Sequence, residues 1–116
     1  MNSIQGLERF TTTNVTNMDF LFFNTSSLTS ITGIAGWNAA NVTAMNGMFE
    51  DTSRLQNLDL SRWNTSRVNN MNSMFRNAGS QTSLNLNLAG WDTRNVTNMS
   101  NFLTGSNINR LTIGPI

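Results

Sequence analysis

The chain of 116 residues contains no cysteine, histidine or tyrosine, and all seven of its basic residues are arginine, so lysine is absent too. Without cysteine there is no disulfide, no thiolate nucleophile and no thiolate metal site. Without histidine, lysine or tyrosine the common general bases and amine nucleophiles are also missing, and the chain is not expected to be an enzyme. Six carboxylates remain (Glu8, Asp19, Glu50, Asp51, Asp59 and Asp92), of which only Glu50 and Asp51 are adjacent. A calcium site wants several clustered oxygens, with more than one carboxylate typical. No metal and no cofactor are therefore expected, and Glu50–Asp51 reads as a solvated turn. Charged residues make up only 11% and the net charge is +1, which is not the footprint of a nucleic-acid binder. No apolar run approaches the ~20 residues of a membrane helix, so no membrane insertion is expected. Residues 1–10 carry neither a basic start nor an apolar run, and no signal peptide is visible.

Uncharged polar groups fill the gap, with 20 Asn, 15 Thr and 12 Ser. The apolar residues among them are too regular for a disordered chain. Phe10, Trp37, Trp63 and Trp91 fall 27, 26 and 28 residues apart. A valine follows each aromatic at five residues (Val15, Val42, Val68, Val96) and a methionine at eight (Met18, Met45, Met71, Met99). A bulky pair closes each copy: Leu21-Phe22, Met48-Phe49, Met74-Phe75, Phe102-Leu103. Self-similarity at this period marks stacked repeats, whose usual work is presenting surface. The chain is read as one domain, residues 1–116, with repeats at about 10–36, 37–62, 63–90 and 91–116.

Within a repeat, Val68, Met71, Met74 and Phe75 fall at i, i+3, i+6 and i+7, which predicts one face of a short helix. Thr11, Asn38, Asn64 and Asp92 follow the aromatics and are placed as helix caps. The polar face is rich in Asn and Ser, poor helix formers, so packing on neighbours has to hold the helix. A leucine run comes next: Leu55, Leu58 and Leu60 in one copy, Leu84, Leu86 and Leu88 in another. Leu28, Ile31 and Ile34 match it early in the chain, and Ile108, Leu111 and Ile113 late. This spacing predicts a strand whose leucines stack inward between repeats. The fold class expected is an α/β repeat solenoid of leucine-rich-repeat type. It has one parallel sheet of about five short strands and four short helices on the opposite wall. Valines, methionines and tryptophans are assigned to the core, and amides at register positions to hydrogen-bonded ladders between repeats.

The segments LDLSRWNTSRVNNMNSMF (Leu58 to Phe75) and AGWDTRNVTNMSNF (Ala89 to Phe102) resemble the BspA-like leucine-rich repeats of bacterial surface proteins. The resemblance runs from Ile4 to Ile116. It departs from the family pattern at Phe10, in the strict alternation from Leu84 to Leu88, and where Thr25, Thr52 and Ala78 replace a usual cysteine. The resemblance implies a leucine-rich solenoid used for adhesion or protein binding on cell surfaces, and it carries no catalytic residues.

Two functions follow as expectations. The first is a non-enzymatic surface module for adhesion or for binding a protein or glycan. Its contacts would lie at the outward strand positions Thr32, Asp59, Asn85 and Thr112, read as one slot shared by the four copies, and its location would be extracellular, on a cell or virion surface. The second is a structural subunit, a head-to-tail homo-oligomer building a fibre or virion appendage. Its motive is the terminal apolar residues Ile4, Leu7, Ile108, Leu111, Ile113 and Ile116, which are not cap-like. Asn-x-Ser/Thr sequons occur at Asn14, Asn24, Asn41, Asn64, Asn95 and Asn98. Asn14, Asn41 and Asn95 share one repeat phase and are the candidate glycosylation positions.

Overall fold

The computed structural model describes residues 3–4 and 6–113. Strict alternation of leucine and asparagine from Leu84 to Leu88 makes the clearest strand, with leucines buried and the asparagines turned outward. It is the fourth of five strands: β1 (Ser3–Ile4), β2 (Ser30–Ile31), β3 (Asn57–Asp59), β4 (Leu84–Leu88) and β5 (Ile108–Ile113). They form one parallel sheet in chain order, as the leucine runs led us to expect. The register sets Ile4 beside Ile31, Leu58 beside Leu86 beside Leu111, and Leu88 beside Ile113. Like side chains therefore meet across strands on the inward face, where each pair removes apolar surface from water. A bulge between Leu84 and Asn85 shifts the last pairing.

The expected helices do not form. The only helical element among the described residues is a single 3-10 turn, Leu7–Arg9. In their place each repeat carries a run of tight turns, with positive φ at Phe20, Gly47, Ser73 and Asn101 and again four residues later at Asn24, Asp51, Asn77 and Gly105. A right-handed helix cannot pass through such residues, and Gly, Asn and Asp reach that conformation with least strain. Local bonds span three residues, such as Arg76 N–H to Ser73 C=O at 3.2 Å. Alternate N–H groups instead leave the coil. Those of Met45, Gly47, Phe49 and Asp51 donate to the carbonyls of Asn70, Asn72, Met74 and Arg76 at 2.8–3.0 Å. Those of Met71, Ser73, Phe75 and Asn77 donate in turn to Asn98, Ser100, Phe102 and Thr104. The backbone thus meets its hydrogen-bonding needs between repeats, which a helix would have met within one.

The cap assignments change for the same reason. Asn38, Asn64 and Asp92 fold their side-chain oxygens onto the N–H two residues on, at 2.9–3.0 Å, as turn formers. The apolar spacing itself holds: Val68, Met71, Met74 and Phe75 are all fully buried. Aromatic rings stack across repeats, Phe22 on Phe49 and Phe49 on Phe75 with centroids 5.4 Å apart. Trp37 stacks on Trp63 at 6.4 Å. Each indole N–H reaches back one repeat, Trp37 to Leu7 C=O, Trp63 to Ile34 C=O and Trp91 to Leu60 C=O, at 2.8–2.9 Å. Amides link repeats as well: Asn46 and Asn72 N–H donate to the Oδ1 of Asp19 and Asn46 respectively. Asn77 Nδ2 donates to Asp51 Oδ1 at 2.8 Å. Glu50, read as part of a solvated turn, is instead buried and pairs with Arg76 at 3.2 Å.

Candidate partner surface on the outer strand face

Inward leucines fix where the polar residues of the strands point. Successive strand residues face opposite sides, so Asn57, Asp59, Asn85 and Asn87 all emerge on the outer face. The register sorts them into two rows. Asn57, Asn85 and Arg110 lie side by side, and Asp59, Asn87 and Thr112 form the neighbouring row. Together with the edge of Leu58 they line an open cleft of about 310 Å³.

Electrostatically the cleft is almost neutral, with one carboxylate and one guanidinium among amides and hydroxyls. Asp59 Oδ1 accepts from Ser61 Oγ at 2.6 Å and from Ser61 N–H at 3.0 Å. These bonds, the hydroxyl first, hold the Asp59 carboxyl below the usual carboxylate range, and Arg62 adds to the effect. Asp59 is therefore a fixed anion and a weak proton acceptor. Asn87 Oδ1 accepts from Ala89 N–H at 3.1 Å, which orients its NH₂ outward. The side-chain amides of Asn57 and Asn85 and the guanidinium of Arg110 have no partner among the described residues. In contrast, no buried side-chain polar atom among them lacks a partner. The free hydrogen-bonding capacity of the strands is thus on this face, arranged as two neighbouring rows of donors and acceptors suited to hydroxyls or peptide groups.

The register corrects one sequence expectation. Asn85 does not share the slot of Asp59; Asn87 does, and Asn85 stands two residues earlier beside Asn57. Spacing misled because the third copy is longer than the second, which moved the alignment by one alternation. Thr112 lies in the Asp59 row as expected. Thr32 is exposed, two residues past the Ser30–Asn57 pair and so level with Asp59, and its hydroxyl donates to Ile4 C=O at 3.0 Å. The sequence reading missed Asn57, Asn87 and Arg110. Alternation from Leu84 to Leu88 was the signal for Asn87; Arg110 follows a bulge residue and gave none.

The terminal residues divide. Leu7 is buried, Ile4 and Ile108 are half-buried, and Leu111 and Ile113 are exposed. Ile116 lies outside the described residues. Phe20, Leu21 and Phe23 are exposed apolar residues that the sequence reading left out of the ends, and Met99, assigned to the core, is exposed because no further repeat covers it among the described residues. Of the sequons, Asn14 is exposed. The amide nitrogens of Asn41 and Asn95 donate to Thr13 C=O and Ser66 C=O at 2.7 and 2.6 Å. Those are the atoms a glycan would take. Among the described residues no cluster of acidic side chains is arranged to hold a metal, and no helix is long and apolar enough to cross a membrane.

With five parallel strands and the repeat ladders in view, the sequence matches the family described as Mycoplasma protein of unknown function, DUF285, over residues 1–113. The chain belongs to the DUF285 family. No curated protein and no solved structure matches it. The match spans every coil that the two ladders join, so the DUF285 relationship and the repeat pattern concern the same residues.

Proposed function

We propose that this DUF285 chain is a non-enzymatic binding module that engages a protein or a glycan at an extracellular, cell or virion surface through its outer strand face. The observation that carries the reading is the row of partnerless amides at Asn57 and Asn85, flanked by Asn87, Arg110 and the fixed anion Asp59. The sheet fixes the backbone beneath these groups, so only their side chains are ordered at the moment of binding, which favours many modest hydrogen bonds acting together. In the finer description the coils make a short solenoid of the BspA-like kind, for which adhesion is the natural role. The low charge fits a partner recognised by hydroxyls and peptide groups better than a charged polymer. Probing glycan and extracellular-protein arrays with the chain and with an Asn85→Ala/Arg110→Ala double variant tests this. The expected result is a hit that weakens about tenfold or more in the variant, as loss of well-placed interface hydrogen bonds would give. An equal signal from both proteins would count against the face.

A second reading, an end-to-end structural subunit, draws support from a separate observation. Leu111 and Ile113 at one end, and Leu21 at the other, are exposed where their counterparts Leu86, Leu88 and Met48 are buried.

A further inference from the structure

Every junction between coils is built from the same parts, and each end of the stack carries one half of that junction. At the internal junctions alternate N–H groups of one coil donate to carbonyls of the next, as Met71, Ser73, Phe75 and Asn77 do to Asn98, Ser100, Phe102 and Thr104. The last coil repeats the donor set: the N–H groups of Met99, Asn101, Leu103 and Gly105 have no partner among the described residues. The first coil repeats the acceptor set, since the carbonyls of Asn17, Asp19, Leu21 and Phe23 have none either. Among the bonds that run the opposite way, one recurs at every junction, from Thr43 to Thr16, Asn69 to Thr43 and Thr97 to Asn69, at 2.8–2.9 Å. Its free halves are the Thr97 carbonyl and the Thr16 N–H.

The apolar surfaces divide in the same manner. Leu111 and Ile113 pair in register with fully buried Leu86 and Leu88, yet are 41% and 46% exposed. At the other end Leu21, counterpart of fully buried Met48, is 48% exposed. Beside it an open groove of about 400 Å³ is lined by Phe10, Val15, Met18 and Phe22.

The geometry points to a second copy of this chain as the occupant, stacked last coil on first coil in the register of the internal junctions. This rests on the end-to-end reading above and fixes its partner and polarity. Met99, Asn101, Leu103 and Gly105 N–H donate to the Asn17, Asp19, Leu21 and Phe23 carbonyls of the next copy. Thr16 N–H of that copy donates back to Thr97 C=O. Leu111 and Ile113 come to lie against its first strand. The four-donor rows of two last coils, or the four-acceptor rows of two first coils, cannot satisfy one another, so the contact in this register is head-to-tail and extends into a filament unless the rotation closes a ring.

Light scattering over a concentration series is the test, using the chain, a Leu21→Arg variant and a Leu111→Arg variant. Each variant blocks one end only. The unaltered chain is expected to rise to multiples of its 12.9 kDa mass. Each variant alone is expected to stay monomeric, and an equimolar mixture of the two to reach twice the chain mass and stop there. An unaltered chain that remains monomeric throughout would overturn both this inference and the end-to-end reading. If it assembles while either variant alone still dimerises, or while the mixture does not, the head-to-tail register is overturned and only the broader reading stands. Circular dichroism checks that each variant is folded. Leu21→Asp with Ile113→Arg supplies a second pair for the same mixing experiment should either of the first pair unfold.

Discussion

The indole of Trp63 does two jobs at once. Its ring is buried between Trp37 and the next repeat, and its N–H donates to the Ile34 carbonyl at 2.8 Å. Trp63→Phe keeps most of the apolar volume but removes that bond, leaving the Ile34 carbonyl with the Trp37 N–H alone, and opens a small void beside it. We expect a loss of about 1–2 kcal/mol in urea unfolding, one net hydrogen bond together with the void. Gly47 is fixed by a different constraint. Its φ is 59°, and a Cβ there would collide with the ring of Phe20 in the preceding repeat. Gly47→Ala meets both the left-handed penalty and the clash, so a destabilisation of about 2 kcal/mol or more is expected. A loss below about 0.5 kcal/mol, within ordinary surface scatter, would mean that this turn is not as described. The tryptophan was readable from sequence as a core residue because it recurs in phase. The glycine was not, because its reason lies in a ring from another repeat.

At the scale of the element, the strands and the turn segments differ in how much the sequence disclosed. The leucine and isoleucine runs recur in step with the aromatics, and the copy from Leu84 to Leu88 alternates as only a strand does, so about five parallel strands were readable in advance. The spacing of Val68, Met71, Met74 and Phe75 fits a helix equally well, but a run of turns can bury the same positions. What decides between them is the neighbour: each coil offers carbonyls in step with the preceding coil's alternate N–H groups. That is a tertiary fact, and the hint for it was local, in the Asn, Asp and Gly that recur at positive φ. On the outer face, Asp59 makes a pH prediction. Its folded pKa lies below the ordinary value of 3.8, because Ser61 donates two hydrogen bonds to the carboxylate. Its contribution is therefore fully present above that ordinary value and is lost as pH falls through the lower folded value. The stability difference between the chain and Asp59→Asn should be constant from neutral pH down to about the ordinary carboxylate range and vanish in stronger acid. Because the group is exposed, that difference should stay under about 1 kcal/mol. A difference that grows on acidification would contradict the assignment.

For the whole molecule, two ladders, one of strands and one of turns, tie four repeats into a single body whose interior is saturated and whose free hydrogen-bonding capacity lies outside. That division assigns separate work to separate surfaces. In the proposed reading the outer strand face takes a partner and the two ends take another copy. The candidate face was half readable from sequence: Asp59 and Thr112 fell in the right row, Asn85 in the wrong one, and Arg110 was hidden by the bulge before it. The central claim is that binding happens on the strand face. Nitrogen-15 NMR of the labelled chain, titrated with the strongest array hit, tests it most directly. The account predicts that shift changes centre on Asn57, Asp59, Asn85, Asn87, Arg110 and Thr112, leaving the first and last coils' turns unmoved. Changes centred on Leu21, Phe23, Met99 and Leu103, with the strand face silent, would contradict it.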